Sequence, residues 1–409
     1  MNLRLLICLC FFLPASLLPA QPGSIIASGT GKRIEIPFQY ENNFIIVEVI
    51  FEWLFPMKFI FDTGAEHTII TKKEIVETLD IPYVRDFKII GSDMKQELVA
   101  HLISGIPLQV GSLYAPNQNL LVLDDDYFRF EEFTGVNVHG ILGANFFRSY
   151  VVKINYQKKV LTLELPKNFD PPERFTEIPV TIFKNKPYLI VKTKIGADSS
   201  AINLKMLLDT GASLSALFHV KTHPRLNMPV NVLKGNVGKG LGGYLEGYLG
   251  RAKSLSIGDF HLNEVLTNFQ ELSESMDTSS LNGRHGILGN QILERFQVVI
   301  NYPEEKLYLK PTKQFYKKFT YDRSGLILVA GGYNLNNFVV HELVPGSPAE
   351  QAGIKTGDII KRVNWIPHWA MSLDSVSKIL KGKPGKKVKL KIKRGDETLC
   401  IKLVLRDLI

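Results

Sequence analysis

The sequence predicts a mostly β protein in which two tandem lobes of similar structure are followed by a smaller α+β domain. Three observations support this fold class: one segment occurs twice, each copy contains several strand-like runs, and the sequence pattern changes after about residue 320. Of the 409 residues, 45% are hydrophobic and 22% charged, which is typical of a globular protein. A chain of this length has room for about two to four domains.

Two motifs recur in the same order and define the repeat. The run Phe59-Ile60-Phe61-Asp62-Thr63-Gly64-Ala65 returns as Met206-Leu207-Leu208-Asp209-Thr210-Gly211-Ala212, and His139-Gly140-Ile141-Leu142-Gly143 returns as His285-Gly286-Ile287-Leu288-Gly289. From Asp62 to Ile141 the spacing is 79 residues, and from Asp209 to Ile287 it is 78. Matched order and spacing indicate a duplicated structural unit, with lobes at about residues 30–166 and 175–312.

Each copy contains runs that are typical of strands. Residues 44–51 are rich in β-branched and aromatic side chains, and residues 160–165 and 306–310 alternate between apolar and polar side chains. Short helices are predicted after Thr71 and after Asn290. The prolines at 171–172 mark the junction between the two copies.

Residues 1–20 are predicted to be a secretory signal peptide rather than part of the fold. Arg4 precedes an apolar run over residues 5–13, and small and turn-forming residues follow as far as Ala20. The run is too short to span a bilayer comfortably. This pattern predicts a secreted or periplasmic protein, with a membrane anchor formed by an uncleaved signal as the alternative.

The cysteines and the charge exclude two kinds of site. Cys8 and Cys10 fall within the signal, so Cys400 alone would remain, and we expect no disulfide, no cysteine metal site and a small buried side chain at this position. The formal net charge is +9, and the densest basic stretch, residues 381–394, alternates many of its lysines with apolar residues. That alternation is typical of the solvated face of a strand, so no nucleic-acid partner is predicted.

The two Asp-Thr-Gly triplets carry the chemistry. Each follows an apolar strand and ends in a glycine that permits a sharp turn, which places a carboxylate at the tip of a buried strand. Two equivalent copies indicate that Asp62 and Asp209 face each other across a pseudo-twofold axis, where they would share one proton. The ionised carboxylate can take a proton from a water while the protonated one donates a hydrogen bond to a substrate carbonyl. This is general acid–base hydrolysis of an amide, and it predicts no metal and no cofactor.

These motifs resemble the signature of aspartic peptidases, particularly the retropepsin-like kind. The resemblance covers about 280 residues and implies two fused β-barrel lobes that form an endopeptidase with Asp62 and Asp209 as its catalytic residues. It also implies that Thr63, Gly64, Thr210 and Gly211 support the two aspartates. It further implies that an apolar segment threads behind each active loop, formed by Ile141, Leu142, Gly143, Ile287, Leu288 and Gly289. Because both halves lie on one chain, a monomer would suffice for the active site.

The residues that flank the two motifs also repeat. Ala65 and Ala212 stand where many pepsin-like enzymes carry a serine or threonine that favours the charged carboxylate. Without that hydroxyl we expect higher apparent pKa values for the dyad and a mildly acidic to near-neutral optimum. His139 and His285 precede the two Ile-Leu-Gly segments, and we expect them to pack or to form hydrogen bonds near the loop rather than to catalyse.

A glycine-rich run at residues 239–248 is a candidate substrate flap. Gly242, Gly243 and Tyr244 would lie at its tip, and an ordinary hairpin is the alternative. A nucleotide-binding loop is disfavoured, because no Gly-Lys-Ser/Thr follows. In the first copy the matching region lies near residues 90–94.

The C-terminal residues, about 322–408, resemble a PDZ domain of the bacterial type. The matching runs are Gly346-Ser347-Pro348-Ala349-Glu350-Gln351-Ala352-Gly353-Ile354 and Gly357-Asp358-Ile359-Ile360, and Leu373, Val376, Ile379 and Leu380 then follow a helical stripe. The resemblance implies a groove between that helix and the adjacent strand. It also implies a loop whose backbone N–H groups hold a peptide's C-terminal carboxylate, formed by Gly325, Leu326, Ile327 and Leu328. The alternative is a domain that only packs on the peptidase.

The sequence therefore supports two functions of different kinds. The first is an active endopeptidase whose PDZ domain recruits protein or peptide substrates. The second is a catalytically inactive adaptor or chaperone that binds peptides through the PDZ domain. A serine peptidase with a PDZ domain is disfavoured, because the two lobes and the PDZ domain fill nearly the whole chain and no Gly-Xaa-Ser-Xaa-Gly elbow occurs. No transmembrane span is expected after the signal.

Overall fold

The computed structural model describes residues 26–27, 33–90, 97–196, 200–240, 243–272 and 281–409, and within these ranges the chain is mostly β, as predicted. The predicted signal peptide at residues 1–20 lies outside the described residues, as does Gly242. No helix within those ranges combines the length and the apolar character needed to cross a membrane. Three parts are named here by their predicted ranges: lobe 1 (30–166), lobe 2 (175–312) and the C-terminal domain (322–408).

Lobe 1 is built from strands with three short helices between them. Its first long strand turns Ile34, Ile36 and Phe38 inward between solvent-facing residues, which is the period-2 pattern of a half-buried strand. The elements up to the end of this lobe are β1 (Ile26–Ala27), β2 (Arg33–Glu41), β3 (Phe44–Phe51), β4 (Phe55–Phe61), β5 (Ile69–Ile70), α1 (Lys73–Thr78), β6 (Arg85–Ile90), β7 (Glu97–Val110), β8 (Leu113–Leu123), α2 (Phe130–Thr134), β9 (Gly140–Leu142), α3 (Ala144–Phe147), β10 (Val151–Asn155) and β11 (Val160–Glu164).

Lobe 2 follows a 3₁₀ turn at Pro166–Asn168 and has a similar order of strands, with α4 in the place of α3. The helices predicted after Thr71 and after Asn290 are found as α1 and as α4, which begins at Asn290 itself. The elements of lobe 2 are β12 (Thr176–Pro179), β13 (Thr181–Phe183), β14 (Lys186–Ile195), β15 (Ile202–Leu208), β16 (Ala216–Val220), β17 (Leu233–Gly240), β18 (Gly243–Ile257), β19 (Phe260–Glu271), β20 (Gly286–Leu288), α4 (Asn290–Leu293), β21 (Phe296–Asn301) and β22 (Lys306–Pro311).

The two lobes share one sheet. Strand β10 of lobe 1 pairs antiparallel with β21 of lobe 2, with Val151 opposite Asn301 and Ile154 opposite Val298. Within the described ranges this pairing carries β12, β22 and β21 into a 14-stranded sheet with lobe 1, while the other strands of lobe 2 form an 8-stranded sheet. Since β10 and β21 are equivalent segments of the repeat, their pairing lies on the pseudo-twofold axis that relates the lobes.

The C-terminal domain has its own sheet and its own apolar core. The sheet order is β23-β24-β25-β27-β28, and the core includes Phe338, Ile360 and Val376. Ser372 caps α6, because its side chain accepts a hydrogen bond from the N–H of Ser375. The elements are β23 (Leu326–Gly331), β24 (Asn337–Leu343), α5 (Pro348–Gln351), β25 (Ile359–Val363), β26 (Ile366–Pro367), a 3₁₀ turn at His368–Ala370, α6 (Leu373–Leu380), β27 (Lys387–Arg394) and β28 (Glu397–Val404).

The basic stretch and Cys400 occupy the last hairpin of this domain. Strand β27 points Val388, Leu390 and Ile392 inward and its lysines outward, so the prediction of a solvated strand face is confirmed. The prediction that Cys400 is buried is wrong, because this thiol is exposed. In β28 the alternation places Cys400 on the same solvent-facing side as Lys402, since side chains two residues apart share a face.

Candidate active site

The two Asp-Thr-Gly turns follow β4 and β15 and lie next to each other at the junction of the lobes. Strand β4 pairs in parallel with β9, and β15 pairs in parallel with β20. The N–H of Asp62 continues the first pairing and donates to the carbonyl of Leu142 at 3.1 Å, and the N–H of Asp209 donates to that of Leu288 at 2.9 Å. Each aspartate is therefore held at the tip of its strand by the apolar segment behind it, as the resemblance implied.

The two turns are locked together by four reciprocal hydrogen bonds. The hydroxyl of Thr63 donates to the carbonyl of Leu208 at 2.7 Å, and that of Thr210 donates to the carbonyl of Phe61 at 2.8 Å. Each threonine N–H donates to the hydroxyl of the other threonine at 3.0 Å. Both side chains are fully buried, so the bonds are shielded from water and fix the spacing between the lobes.

Glycine is required at the third position of each turn because the opposing carboxyl group packs against it. A Cβ atom built on Gly64 would lie 2.5 Å from Cγ of Asp209, and one built on Gly211 would lie 2.3 Å from Cγ of Asp62. Cβ atoms do not approach other atoms so closely, so any side chain here would displace a carboxyl group. The arrangement also shows that each aspartate reaches across the axis toward the other lobe.

The two carboxyl groups lie close together, and the pKa of each is raised. Burial raises the pKa of Asp62, but its hydrogen bond to Asp209 and the N–H groups of Gly64 and Ala65 oppose this rise. Burial raises the pKa of Asp209 well above its usual value, and the charge of Asp62 together with the bond to Asp62 raises it further. Two coupled carboxyl groups in such a site share one proton, because burial and their mutual charge oppose a second ionisation.

The apolar segments behind the turns make close backbone contacts. A Cβ built on Gly143 would lie 2.2 Å from the carbonyl oxygen of His67, and one built on Gly289 would lie 2.3 Å from that of Leu214. In lobe 2 the amide of Asn290 donates to the carbonyl of Thr210 at 2.6 Å. The segments thus support the catalytic turns through backbone contacts that only glycine permits.

Comparison with known families agrees with this geometry. Residues 48–146 match the family model described as aspartyl protease, and residues 339–394 match the model described as PDZ domain. The chain carries an aspartyl protease domain and a PDZ domain. The first match covers β4, the first Asp-Thr-Gly turn and β9, and lobe 2 repeats those motifs.

Individual relatives are more distant. Over 95 residues the chain is 35% identical to a probable CtpA-like serine protease of Staphylococcus haemolyticus (strain JCSC1435), a match that covers 22% of this chain and 19% of that protein. Among solved structures it is similar to the aspartic proteinase from Irpex lacteus, with a TM-score of 0.43 and 15% identity over 69% of this chain and 98% of the other. The Basic 7S globulin from soybean gives a TM-score of 0.43 and 10% identity over 70% and 99%. At this similarity, function has to follow from the residues of the site.

The two repeated histidines of the aspartyl protease domain form hydrogen bonds with the backbone. The N–H of Lys58 donates to Nδ1 of His139, and that of Lys205 donates to Nδ1 of His285, both at 3.0 Å. Burial lowers the pKa of both imidazoles, which favours the neutral form that accepts these bonds. The predicted hydrogen-bonding role is confirmed.

Two basic residues that sequence analysis did not single out influence the dyad. The positive charge of Arg284 lowers the pKa of Asp209 and opposes part of the rise. Lys186 is the first residue of β14. The antiparallel register of β14 with β15 starts at Tyr188 opposite Leu207, and two further residues along it Lys186 falls opposite Asp209. Burial lowers the pKa of Lys186, and the charge of Asp62 raises it. The repeat could not predict this lysine. In lobe 1 the register of β3 with β4, extended in the same way, places Phe44 opposite Asp62.

The candidate flap is a β-hairpin. Strand β17 pairs with β18 up to Gly240 opposite Gly243. Lobe 1 has an equivalent hairpin, in which β6 pairs with β7 up to Ile90 opposite Glu97. A strand hairpin rules out the phosphate-loop alternative, which needs a helix after the loop. The flap role of Gly242, Gly243 and Tyr244 stays a prediction.

Proposed function

We propose that the chain is an aspartic endopeptidase that hydrolyses peptide bonds with a water activated between Asp62 and Asp209. The observation that carries the proposal is the pair of facing carboxyl groups, each packed against the glycine of the opposite turn, with the two turns held together by the buried threonines. A site that keeps both carboxyl groups, the hydrogen bonds of both threonines and both glycines has the parts that this reaction requires. The alternative of an inactive adaptor would need none of them.

The single shared proton suggests a role for each carboxyl group. Asp62, the ionised partner, accepts a proton from the water as its oxygen attacks the substrate carbonyl carbon. Asp209, the protonated partner, gives its proton to the carbonyl oxygen, so the tetrahedral intermediate carries two hydroxyl groups. The C–N bond then breaks as the amine takes the proton from Asp62, and Asp209 regains its proton from one of the hydroxyls. The dyad ends the cycle in its starting protonation state.

Both carboxyl groups belong to the same chain, which supports a site that is complete in one monomer. Peptides or unfolded proteins fit it as substrates, since the dyad acts on an amide, and the β6–β7 and β17–β18 hairpins are the candidate flaps that would cover them. With the predicted signal at residues 1–20, we place the activity outside the cytoplasm, in the periplasm or the medium. The serine protease name of the staphylococcal relative extends to only 95 residues, and the chain contains no Gly-Xaa-Ser-Xaa-Gly elbow to support a serine mechanism.

The test is cleavage of a mixed peptide library by the purified full chain at pH values between roughly 3 and 8, with products identified by mass spectrometry. We expect internal cleavage that a serine-directed sulfonyl fluoride leaves unchanged. A folded protein that cuts nothing over this range would favour the adaptor. Cleavage that is abolished by the sulfonyl fluoride would instead indicate a serine peptidase.

The pH dependence of the rate provides a second check. The active dyad carries one proton, so the rate falls at low pH as Asp62 is protonated and at high pH as Asp209 loses its proton. Burial raises the pKa of both carboxyls, which moves both limbs of the bell to higher pH. We expect an optimum that is mildly acidic to near neutral. A kcat/KM profile that peaks below about pH 3 would contradict the expected pKa values.

A further inference from the structure

The PDZ domain has a groove between β23 and α6. Strand β23 is the edge strand of the PDZ sheet and, among the described strands, pairs with β24 alone. Helix α6 packs beside it and directs Leu373, Val376 and Leu380 into the PDZ core. An open edge of this kind accepts an extended peptide as an added strand.

In this chain the groove is covered by helix α2 of lobe 1. This helix packs against both β23 and α6, and it ends at Gly135, which has a φ of +69°. A Cβ built on Gly135 would lie 3.3 Å from Cβ of Leu373 in α6 and 4.0 Å from Cβ of Ala330 in β23. Gly135 therefore lies between the two walls of the groove, in the space that a bound peptide would need.

Helix α2 is firmly attached to lobe 1. Its first residue, Phe130, packs edge-to-face on Phe44 with ring centroids 5.9 Å apart. The amide of Asn42 donates to the carbonyl of Phe133 at 2.8 Å. The PDZ domain thus rests on a fixed part of the lobe, close to the strand β3 that flanks the catalytic strand β4.

The outer face of α6 also meets lobe 1. Burial raises the pKa of Glu41 at the end of β2, the nearby carboxylate of Asp374 adds to the rise, and the ammonium of Lys378 opposes it. Asp374 and Lys378 lie one turn apart on α6 and form an ion pair. The polar side of the helix that forms one wall of the groove therefore lies within electrostatic reach of Glu41 in lobe 1.

The loop predicted to hold a peptide carboxylate already holds one from the chain itself. The N–H groups of Ser324 and Gly325 donate to Oδ1 of Asp322 at 2.9 and 2.8 Å. The N–H of Leu326 donates to the hydroxyl of Ser324 at 3.2 Å. A Cβ on Gly325 would lie 2.1 Å from Cβ of Ser347, so the loop is closely packed. Of the four predicted loop residues, Gly325 thus gives its N–H to an internal carboxylate, and Leu326 gives its N–H to the hydroxyl of Ser324.

We propose that the ligand of this PDZ groove is helix α2 of the chain's own lobe 1, and that the PDZ domain braces that lobe instead of capturing C-terminal peptides. Residues 130–135 cover the groove, and Asp322 and Ser324 accept the N–H groups of Gly325 and Leu326, so two independent observations support the same conclusion. The chain leaves α2 through Gly135 and reaches Ile141-Leu142-Gly143 six residues later, so the brace steadies the segment behind the first catalytic turn. The inference goes beyond the proposed function and holds whether or not the dyad cleaves peptides.

A disulfide trap tests the contact in the full chain. In a background with Cys8, Cys10 and Cys400 replaced by serine, the pair Gly135→Cys and Ala330→Cys has a Cβ–Cβ separation of 4.0 Å, within the range of a disulfide. We expect mild oxidation to link the two, as read by mass spectrometry of the joined peptides. Gly135→Cys with Asp396→Cys, at the turn of the far hairpin, is the matched control and should not link. Absence of the first link in folded protein would overturn the proposal.

Peptide binding by the unsubstituted chain gives an independent measurement. A pool of fluorescent peptides with apolar C-termini and free carboxylates is titrated to about 1 mM, beside the same pool with amidated termini, and a peptide-binding PDZ domain serves as positive control. We expect no rise in anisotropy that depends on the free carboxylate. Binding that amidation abolishes would show that the groove opens to peptides and would overturn the proposal, whatever the disulfide trap gives.

Discussion

Replacing either catalytic aspartate with asparagine is expected to lower kcat/KM for peptide hydrolysis by about 10³-fold or more while the fold is retained. Asparagine keeps the shape of the side chain and can still accept the N–H bonds of Gly64 or Gly211, but it cannot take or give the proton. Since the two carboxyls act as one unit, the double variant Asp62→Asn/Asp209→Asn should be no slower than either single variant. The measurement is the initial rate on the best library peptide.

The control for this pair is Asp259→Asn, which changes an exposed carboxylate in the turn between β18 and β19. Its rate should equal that of the unsubstituted chain. Circular dichroism spectra and melting temperatures of the dyad variants should match as well, because removing a buried charge does not break a stabilising pair of opposite charges. Hydrolysis within tenfold of the parent rate in either dyad variant would reject the two-carboxylate mechanism.

Thr63→Val and Thr210→Val are each expected to lower the free energy of unfolding by about 2–6 kcal/mol. Valine has the shape of threonine but lacks the hydroxyl, so each change leaves one buried carbonyl and one buried N–H without partners. An unpaired buried polar group costs about 1–3 kcal/mol, and each substitution creates two of them. Activity should fall too, because these bonds set the separation of the two carboxyls.

Serine variants separate the hydrogen bonds from simple packing. Thr63→Ser and Thr210→Ser keep the hydroxyl and lose only a methyl group, which costs about 1 kcal/mol. Urea unfolding followed by far-ultraviolet circular dichroism compares the four variants. If valine and serine destabilise equally, the hydroxyl bonds contribute little and the lobes are held together mainly by the shared sheet.

The two lobes and the closeness of Asp62 to Asp209 could be predicted from the sequence because the same motifs occur twice in it. A repeat fixes which residues are equivalent, and equivalent aspartates at matched spacing have to lie near a common axis. The structure then added the partners of each residue: Thr63 and Thr210 exchange their bonds across the axis, and β10 pairs with β21. Motifs give positions along the chain, but only the fold gives the pairing across it.

What the sequence missed has no counterpart in the repeat. Lys186 lies opposite Asp209 because of the register of β14, and lobe 1 has Phe44 in the same place. The PDZ motif predicted an open carboxylate loop. A motif gives the residues of the loop, but it does not show that the carboxylate of Asp322 accepts a hydrogen bond from Gly325. Contacts between separate domains leave no periodic pattern in a single sequence, so the cover formed by α2 could not have been predicted.

The reciprocal threonine bonds also constrain how this protein is made. The hydrogen bonds between Thr63 and Thr210 cannot form until Thr210, which lies 147 residues later in the chain, has been synthesised. At a synthesis rate of about 5–20 residues per second, this delay is roughly 7–30 s. During this delay lobe 1 exposes the turn at Thr63 without its partner and the edge of β10 that later pairs with β21. The two aspartates cannot be brought together until residues 209–210 have been synthesised, so a nascent chain that holds lobe 1 alone has only half of the candidate site.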